Sequence, residues 1–114
     1  DLYQSILDKC VAYDKVGIIG ISFKPNSPVV IGSPSSKLIQ DLIEKNITVF
    51  AYDEFDESFS NLNGLEDKII KCKTPQECVD KSDAIAIMHP DNKFSLLNTS
   101  DKFVIDNWGV LDGN

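Results

Sequence analysis

One hundred and fourteen residues, 42% of them hydrophobic, are enough for one domain with one real core. The formal charge of −7 argues against nucleic acid and anionic membranes as partners. All eleven basic residues are lysine, so no bidentate guanidinium fork is available, and any phosphate must be held by lysine, hydroxyls and backbone N–H groups.

The chain begins with Asp1 rather than Met, which reads as a fragment or processed piece of a longer protein. Its longest apolar runs, residues 16–21 and 84–88, are far too short to cross a bilayer. Cys10, Cys72 and Cys78 are odd in number and lack metal-ligand spacing. Buried free thiols in a reducing compartment, the cytoplasm, are the expected state.

Leu2, Ile6 and Cys10 recur at helical spacing, which predicts a lead-in helix over residues 2–12. Residues 16–22 form a continuous apolar run rich in β-branched side chains, the mark of a strand covered on both faces. Ser33 can cap a helix opened by Pro34, with Leu38, Ile39, Leu42 and Ile43 as its apolar stripe and Asn46 as its stop. A second strand is expected over 47–52, then a polar stretch with a short helix or turn, then a short third strand over 69–72. Thr74, Pro75 and Glu77 have the spacing of a cap, a first-turn proline and a capping box, predicting a helix to about Lys81. Residues 84–88 read as a fourth strand and 103–106 as a fifth, with a short helix between them over 94–97.

Strands alternating with helices predict an α/β fold, a Rossmann-like three-layer α/β/α sandwich. Its five-stranded parallel sheet should have the order 3-2-1-4-5. Residues 1–14 are read as the end of a lead-in helix or linker and 15–114 as the domain proper. Ligands in such sheets sit beyond the carboxyl ends of the strands at the switch point, here between strands 1 and 4. That nominates the loop after strand 1 (residues 23–32), the loop after strand 4 (89–92) and the end of strand 5 (106–109).

A dinucleotide grip needs G-x-G-x-x-G at the first strand-to-helix turn. Here Gly17 and Gly20 lie inside the strand and the next glycine is Gly32, so Asp53, placed like a ribose-binding acid, has no glycines to support it. Phe23 and Lys24 are the better candidates: a flat apolar face for a base or sugar, and an ammonium for hydroxyl or phosphate oxygens. His89 has no second histidine or suitably spaced cysteine beside it in sequence and reads as a loop or packing residue. The acidic run Asp53, Glu54, Asp56 and Glu57 reads as a solvated face. No residue here is read as catalytic and no metal is expected.

From Val16 onward the chain resembles the C-terminal, nucleotide-sugar-binding domain of the UDP-glucose/GDP-mannose dehydrogenase family. The residues that carry the resemblance are Gly20-Ile-Ser-Phe23-Lys24-Pro25-Asn26-Ser27, then Ser33-Pro34, Tyr52-Asp53, Ser82-Asp83-Ala84 with Phe94 downstream, and Ile105-Asp106-Asn107-Trp108-Gly109. The resemblance implies that this domain holds a UDP-sugar through Phe23, Lys24, Ser33 and Trp108 and carries no cofactor itself. It further implies that N-terminal and central domains of the same enzyme supply NAD binding and the nucleophilic cysteine. The implied reaction is a double oxidation of a UDP-hexose or UDP-N-acetylhexosamine to the uronic acid. The wording leans toward the N-acetylhexosamine members. The oligomeric state stays open, a homodimer included.

Two departures weaken the implied grip. Ile31 stands where the family places an arginine, and Trp108 where it places a basic residue in I-D-x-[RK]. Each lost charge-assisted contact is worth about 1.5–3 kcal/mol. The rival reading is therefore a degenerate domain that keeps the fold and serves assembly or regulation without binding ligand.

Overall fold

The computed structural model describes residues 2–21, 33–62, 64–106 and 111. Five strands form one all-parallel sheet in the order β3-β2-β1-β4-β5, as expected. They are β1 (Lys15–Ile19), β2 (Thr48–Tyr52), β3 (Ile70–Lys71), β4 (Ala84–Ile87) and β5 (Phe103–Ile105). The helices are α1 (Leu2–Cys10), α2 (Pro34–Glu44), α3 (Asp56–Ser60) and α4 (Pro75–Lys81), with 3-10 turns at Glu66–Lys68 and Asn92–Phe94. Among the described residues no helix is long and apolar enough to cross a membrane.

Alternation along the strands builds two cores. Val16, Ile18, Val49, Ala51, Ala84 and Ala86 face one side, where α1 and α2 supply Ile6, Leu7, Cys10, Leu38, Ile39 and Leu42, and α3 supplies Phe59. Ile19, Phe50, Ile85 and Ile87 face the other, where α4 supplies Cys78 and Val79. A strand buried on both faces has to be apolar at every position, which is why β1 and β4 read as unbroken hydrophobic runs. Gly17 is the exception with a steric cause. A Cβ there would lie 2.5 Å from Ser82 Oγ and 3.0 Å from Cys78 Sγ, so the missing side chain lets α4 settle onto β1.

The helix ends follow their side-chain chemistry. Ser33 Oγ accepts from Ser36 N at 3.0 Å with Pro34 in the first turn. At the other end Asn46 takes φ 62°, while Ile47 N donates to Leu42 O and Asn46 N to Ile43 O. This is the paired bonding of a Schellman stop, which tolerates Asn at its left-handed position. Thr74 Oγ1 accepts from Glu77 N at 3.0 Å, and Glu77 Oε1 accepts from Lys73 N at 2.7 Å, one residue earlier than the usual reciprocal bond. Lys102 Nζ donates to Ser82 O at 2.6 Å and to Asp80 O at 3.2 Å, closing the carbonyl end of α4 from the far side of β5's entry.

Several elements come out shorter than their sequence suggests, β3 and the helix after β4 among them. β3 spans two residues rather than four because only Phe50 and Ala51 pair with it and both its residues stand exposed at the sheet edge. The helix expected over 94–97 is a 3-10 turn that begins at Asn92, because the Asp91 side chain accepts from Lys93 N at 2.9 Å and starts it early.

All three cysteines are free and buried. Cys10 is sealed between α1 and the sheet, and burial pushes its thiol from 9.0 up to about 11. The folded value lies above the unfolded one, so the unfolded chain loses this proton first as the solution becomes alkaline. The stabilisation is fully present below about pH 9 and is lost as pH rises through about 11. Urea titrations across that window should show a decline on the order of 2 kcal/mol that Cys10→Ala removes. Tyr3 contributes a loss of the same sign at higher pH. Its hydroxyl is raised by burial and by donating a hydrogen bond to the Asp41 carboxylate across α1 and α2. An equal decline in Cys10→Ala would assign the whole effect to Tyr3.

Candidate functional site

The crossover from β1 runs toward β2 on one side of the sheet, while β4 pairs on the other. The crevice between them opens at the carboxyl end of β1, the place where α/β sheets take ligands. Gly20 leaves the strand at φ 96°, a conformation that L side chains rarely adopt. Its N–H donates to Tyr52 O at 2.9 Å, tying it to β2. On the β4 side the His89 ring lies directly against it. A Cβ at Gly20 would come within 2.6 Å of His89 Cγ and 2.9 Å of Cδ2 and Nδ1. His89 is buried beside it.

Two serines then fasten the start of α2 to the end of β1. Ser35 Oγ donates to Gly20 O at 2.6 Å, and Ser33 Oγ donates to Ile21 O at 3.0 Å while capping the helix. Both hydroxyls are buried. Residues 21 and 33 are thereby pinned to one another, so the two ends of the eleven intervening residues share one position at the mouth of the crevice. Pro34 supplies no N–H there, and the opening turn of α2 presents the positive end of its dipole.

Asp53 completes the anchor. Its Oδ2 accepts from Ile21 N at 2.8 Å, and its Oδ1 accepts from Phe55 N at 3.0 Å and from Ser58 Oγ at 2.9 Å. The expectation that residues 53–57 form a solvated acidic face is corrected at this position: Glu54, Asp56 and Glu57 are exposed, but Asp53 is 7% exposed. A carboxylate is tolerated there because three donors converge on it. It holds backbone from two segments where a dinucleotide-binding acid would face outward. At the end of β5, Asp106 Oδ2 accepts from Leu111 N at 3.0 Å, so that aspartate closes the segment it opens.

The expected ligand contacts distribute unevenly. Ser33 is at the crevice, with its hydroxyl engaged by Ser36 N and Ile21 O. Phe23, Lys24 and Trp108, together with Ile31, lie outside the described residues. The sequence placed Ser33 to Ser36 near a ligand's phosphates but did not show Ser35 or Asp53 as anchors of the crossover. A usable signal was present for both: serine at the second helical position after Ser33-Pro34, and an aspartate two residues before Phe55 and five before Ser58, the spacing of an Asx turn that also captures a first-turn hydroxyl. Among the described residues no cluster of His, Cys, Asp and Glu has the makings of a metal site.

A second, open depression of about 430 Å³ lies at the carboxyl ends of β2 and β3, bordered by Tyr52, Asp53, Asp56, Lys71, Cys72 and Lys73. Lys71 Nζ pairs with Asp56 Oδ1 at 2.7 Å across its rim. Tyr52 packs edge-on against Phe94, with ring centroids 6.3 Å apart.

A parallel 3-2-1-4-5 sheet whose first crossover is pinned at the switch point by Ser33, Ser35 and Asp53 defines a Rossmann-like domain. Residues 17–113 match the UDP-binding domain of the UDP-glucose/GDP-mannose dehydrogenase family, and the chain belongs to that family. It is 32% identical over 111 residues to a UDP-N-acetyl-D-mannosamine dehydrogenase of Methanococcus vannielii, covering 88% of this chain and 24% of that protein. It is 29% identical over 84 residues to a UDP-glucose 6-dehydrogenase of Rhizobium meliloti, covering 74% of this chain and 19% of that one. The fold superposes on a UDP-glucose dehydrogenase from Pyrobaculum islandicum with a TM-score of 0.78 and 22% identity, over 91% of this chain and 24% of the other. The chain thus spans about a quarter or less of the length of these relatives.

Proposed function

We propose that this domain is the UDP-sugar-binding part of an NAD-dependent nucleotide-sugar dehydrogenase that oxidises a UDP-hexose or UDP-N-acetylhexosamine to the uronic acid. The family match over residues 17–113 carries the reading. The pinned crossover gives it a physical basis, since Ser33, Ser35 and Asp53 fix both ends of the segment that contains Phe23 and Lys24. In this reading Phe23 lies against the base or sugar, Lys24 neutralises phosphate or bonds a hydroxyl, and Trp108 stacks from the end of β5. Ser33 acts by holding the opening of α2 in place, where the helix dipole favours the diphosphate. The NAD-binding and catalytic cysteine functions fall to other parts of the enzyme. Three buried thiols fit a reducing cytoplasm.

With no arginine in the chain, Lys24 is the main mobile charge available to the ligand. Calorimetric titration with UDP, UDP-glucose and a UDP-N-acetylhexosamine should show weak binding that Lys24→Ala weakens at least tenfold, about 1.4 kcal/mol. Ile31→Arg combined with Trp108→Arg should strengthen it by restoring charge-assisted contacts to phosphate. The placement of Ile31 and Trp108 favours one rival, a domain that has kept the fold and lost the ligand. Absence of binding at millimolar concentration in the wild type and in the arginine-restored variant would establish that rival.

A further inference from the structure

The other notable chemistry on this molecule is on the opposite face of the sheet from α1 and α2, where two thiols share one apolar cluster. Cys72 follows β3 directly, and its N–H donates to Ala51 O at 2.8 Å. Ala51 pairs with Ile18 across β2 and β1, and Ile18 O lies 3.9 Å from Cys78 Sγ on α4. The two cysteines therefore lie on one face of the sheet in the same apolar cluster, Cys72 at the β3 edge and Cys78 over β1, near enough for each side chain to shift the other's ionisation. Gly17 leaves the space that Cys78 occupies. Cys78 is sealed beneath α4, whereas Cys72 borders the open depression between Lys71 and Lys73.

We infer that Cys72 and Cys78 form an oxidisable dithiol, closed to a disulfide by a hydroperoxide that reaches Cys72 through the depression at the β3 edge. The placement divides the roles. Cys72 lines the depression and directly follows a two-residue edge strand held from one side only, so opening of that edge would expose it. Its sulfur is held below the usual thiol range chiefly by the Cys78 side chain, while Cys78 is pushed up by the same contact and by burial. The Cys72 thiolate attacks the O–O bond of the hydroperoxide, and the leaving oxygen departs as water or an alcohol after taking up a proton. The resulting Cys72 sulfenic acid is attacked by Cys78 sulfur, forming the S–S bond and releasing the second oxygen as water. Two thiol hydrogens and two electrons pass to the oxidant, and no other reactant is consumed. Cys10, enclosed on the other face with its thiol pushed up by burial, has neither a partner thiol nor a route to solvent.

The test is treatment of the folded chain with hydrogen peroxide, followed by thiol counting in denaturant and intact-mass measurement. Three thiols should fall to one, with a mass loss of two hydrogen atoms and recovery of both thiols by dithiothreitol. Trypsin under non-reducing conditions should then release Cys72-Lys73 joined to the peptide of residues 74–81, since lysines stand at positions 71, 73 and 81. In Cys78→Ser the reaction should stop at a Cys72 sulfenic acid that dimedone traps. Should that variant fail to fold, dimedone added to the wild type during oxidation should label Cys72 alone. Oxygen gained without a cross-link, Cys10 consumed first, or three thiols persisting under peroxide would each overturn the inference.

Discussion

Asp53→Ala should destabilise the domain by about 3–4 kcal/mol, read as a fall in the urea midpoint at unchanged slope. The Asp53 carboxylate receives Ile21 N, Phe55 N and Ser58 Oγ from positions buried or half-buried around it. Removing the acceptor leaves those donors without it in a place water reaches poorly, and hydrogen bonds to a charged group are the strong ones. Asp53→Asn keeps one acceptor oxygen and should recover roughly half of the loss. Against a typical domain stability of about 5–15 kcal/mol, this is a large fraction from an aspartate in an otherwise exposed acidic run. The same change frees the end of β1 at Ile21, so on the proposed function the surviving folded fraction should also bind UDP-sugar more weakly. A loss below about 1 kcal/mol would mean that the donors find other acceptors and that Asp53 is not the anchor.

Gly20→Ala should cost about 2–4 kcal/mol, from two separable sources. The left-handed backbone at φ 96° is strained for any L residue, by roughly 1–2 kcal/mol. The added methyl would also stand 2.6 Å from the His89 ring, which is itself buried and cannot swing clear without disturbing the end of β4. Overpacking of this kind costs about 1–3 kcal/mol. A double-mutant cycle separates the two. His89→Ala in the Gly20→Ala background should relieve the collision and leave the backbone strain, giving a favourable coupling above about 0.5 kcal/mol. Additive effects would show that the ring and the glycine do not press on one another.

The fold was legible because its signals are local or periodic. Unbroken apolar runs in β1 and β4 can only be strands covered on both faces, and the alternation with helices then forces parallel crossovers. The starts of α2 and α4 were visible in Ser33-Pro34 and Thr74-Pro75, since a cap and a first-turn proline act within four residues. The end of α2 was equally visible in Asn46, which can adopt the left-handed stop. The family resemblance rested on motifs between Gly20 and Gly109, and residues 17–113 match that family.

What the chain order did not reveal depends on groups that meet only in three dimensions. The burial of Asp53 is decided by Ile21, 32 positions away, which delivers an N–H to one carboxylate oxygen while the turn into α3 serves the other. Beside the exposed acids Glu54, Asp56 and Glu57 its sequence context pointed outward, because burial of a charge is permitted by convergent donors and not by composition. Gly20 read as part of a strand until the His89 ring, brought up by β4, showed why no side chain fits there. Cys72 and Cys78 looked like two unrelated core thiols. They become partners because β3 extends the sheet beside β2 while α4 packs on β1 and β2 from one face, and the distance between sulfurs is a property of that packing alone.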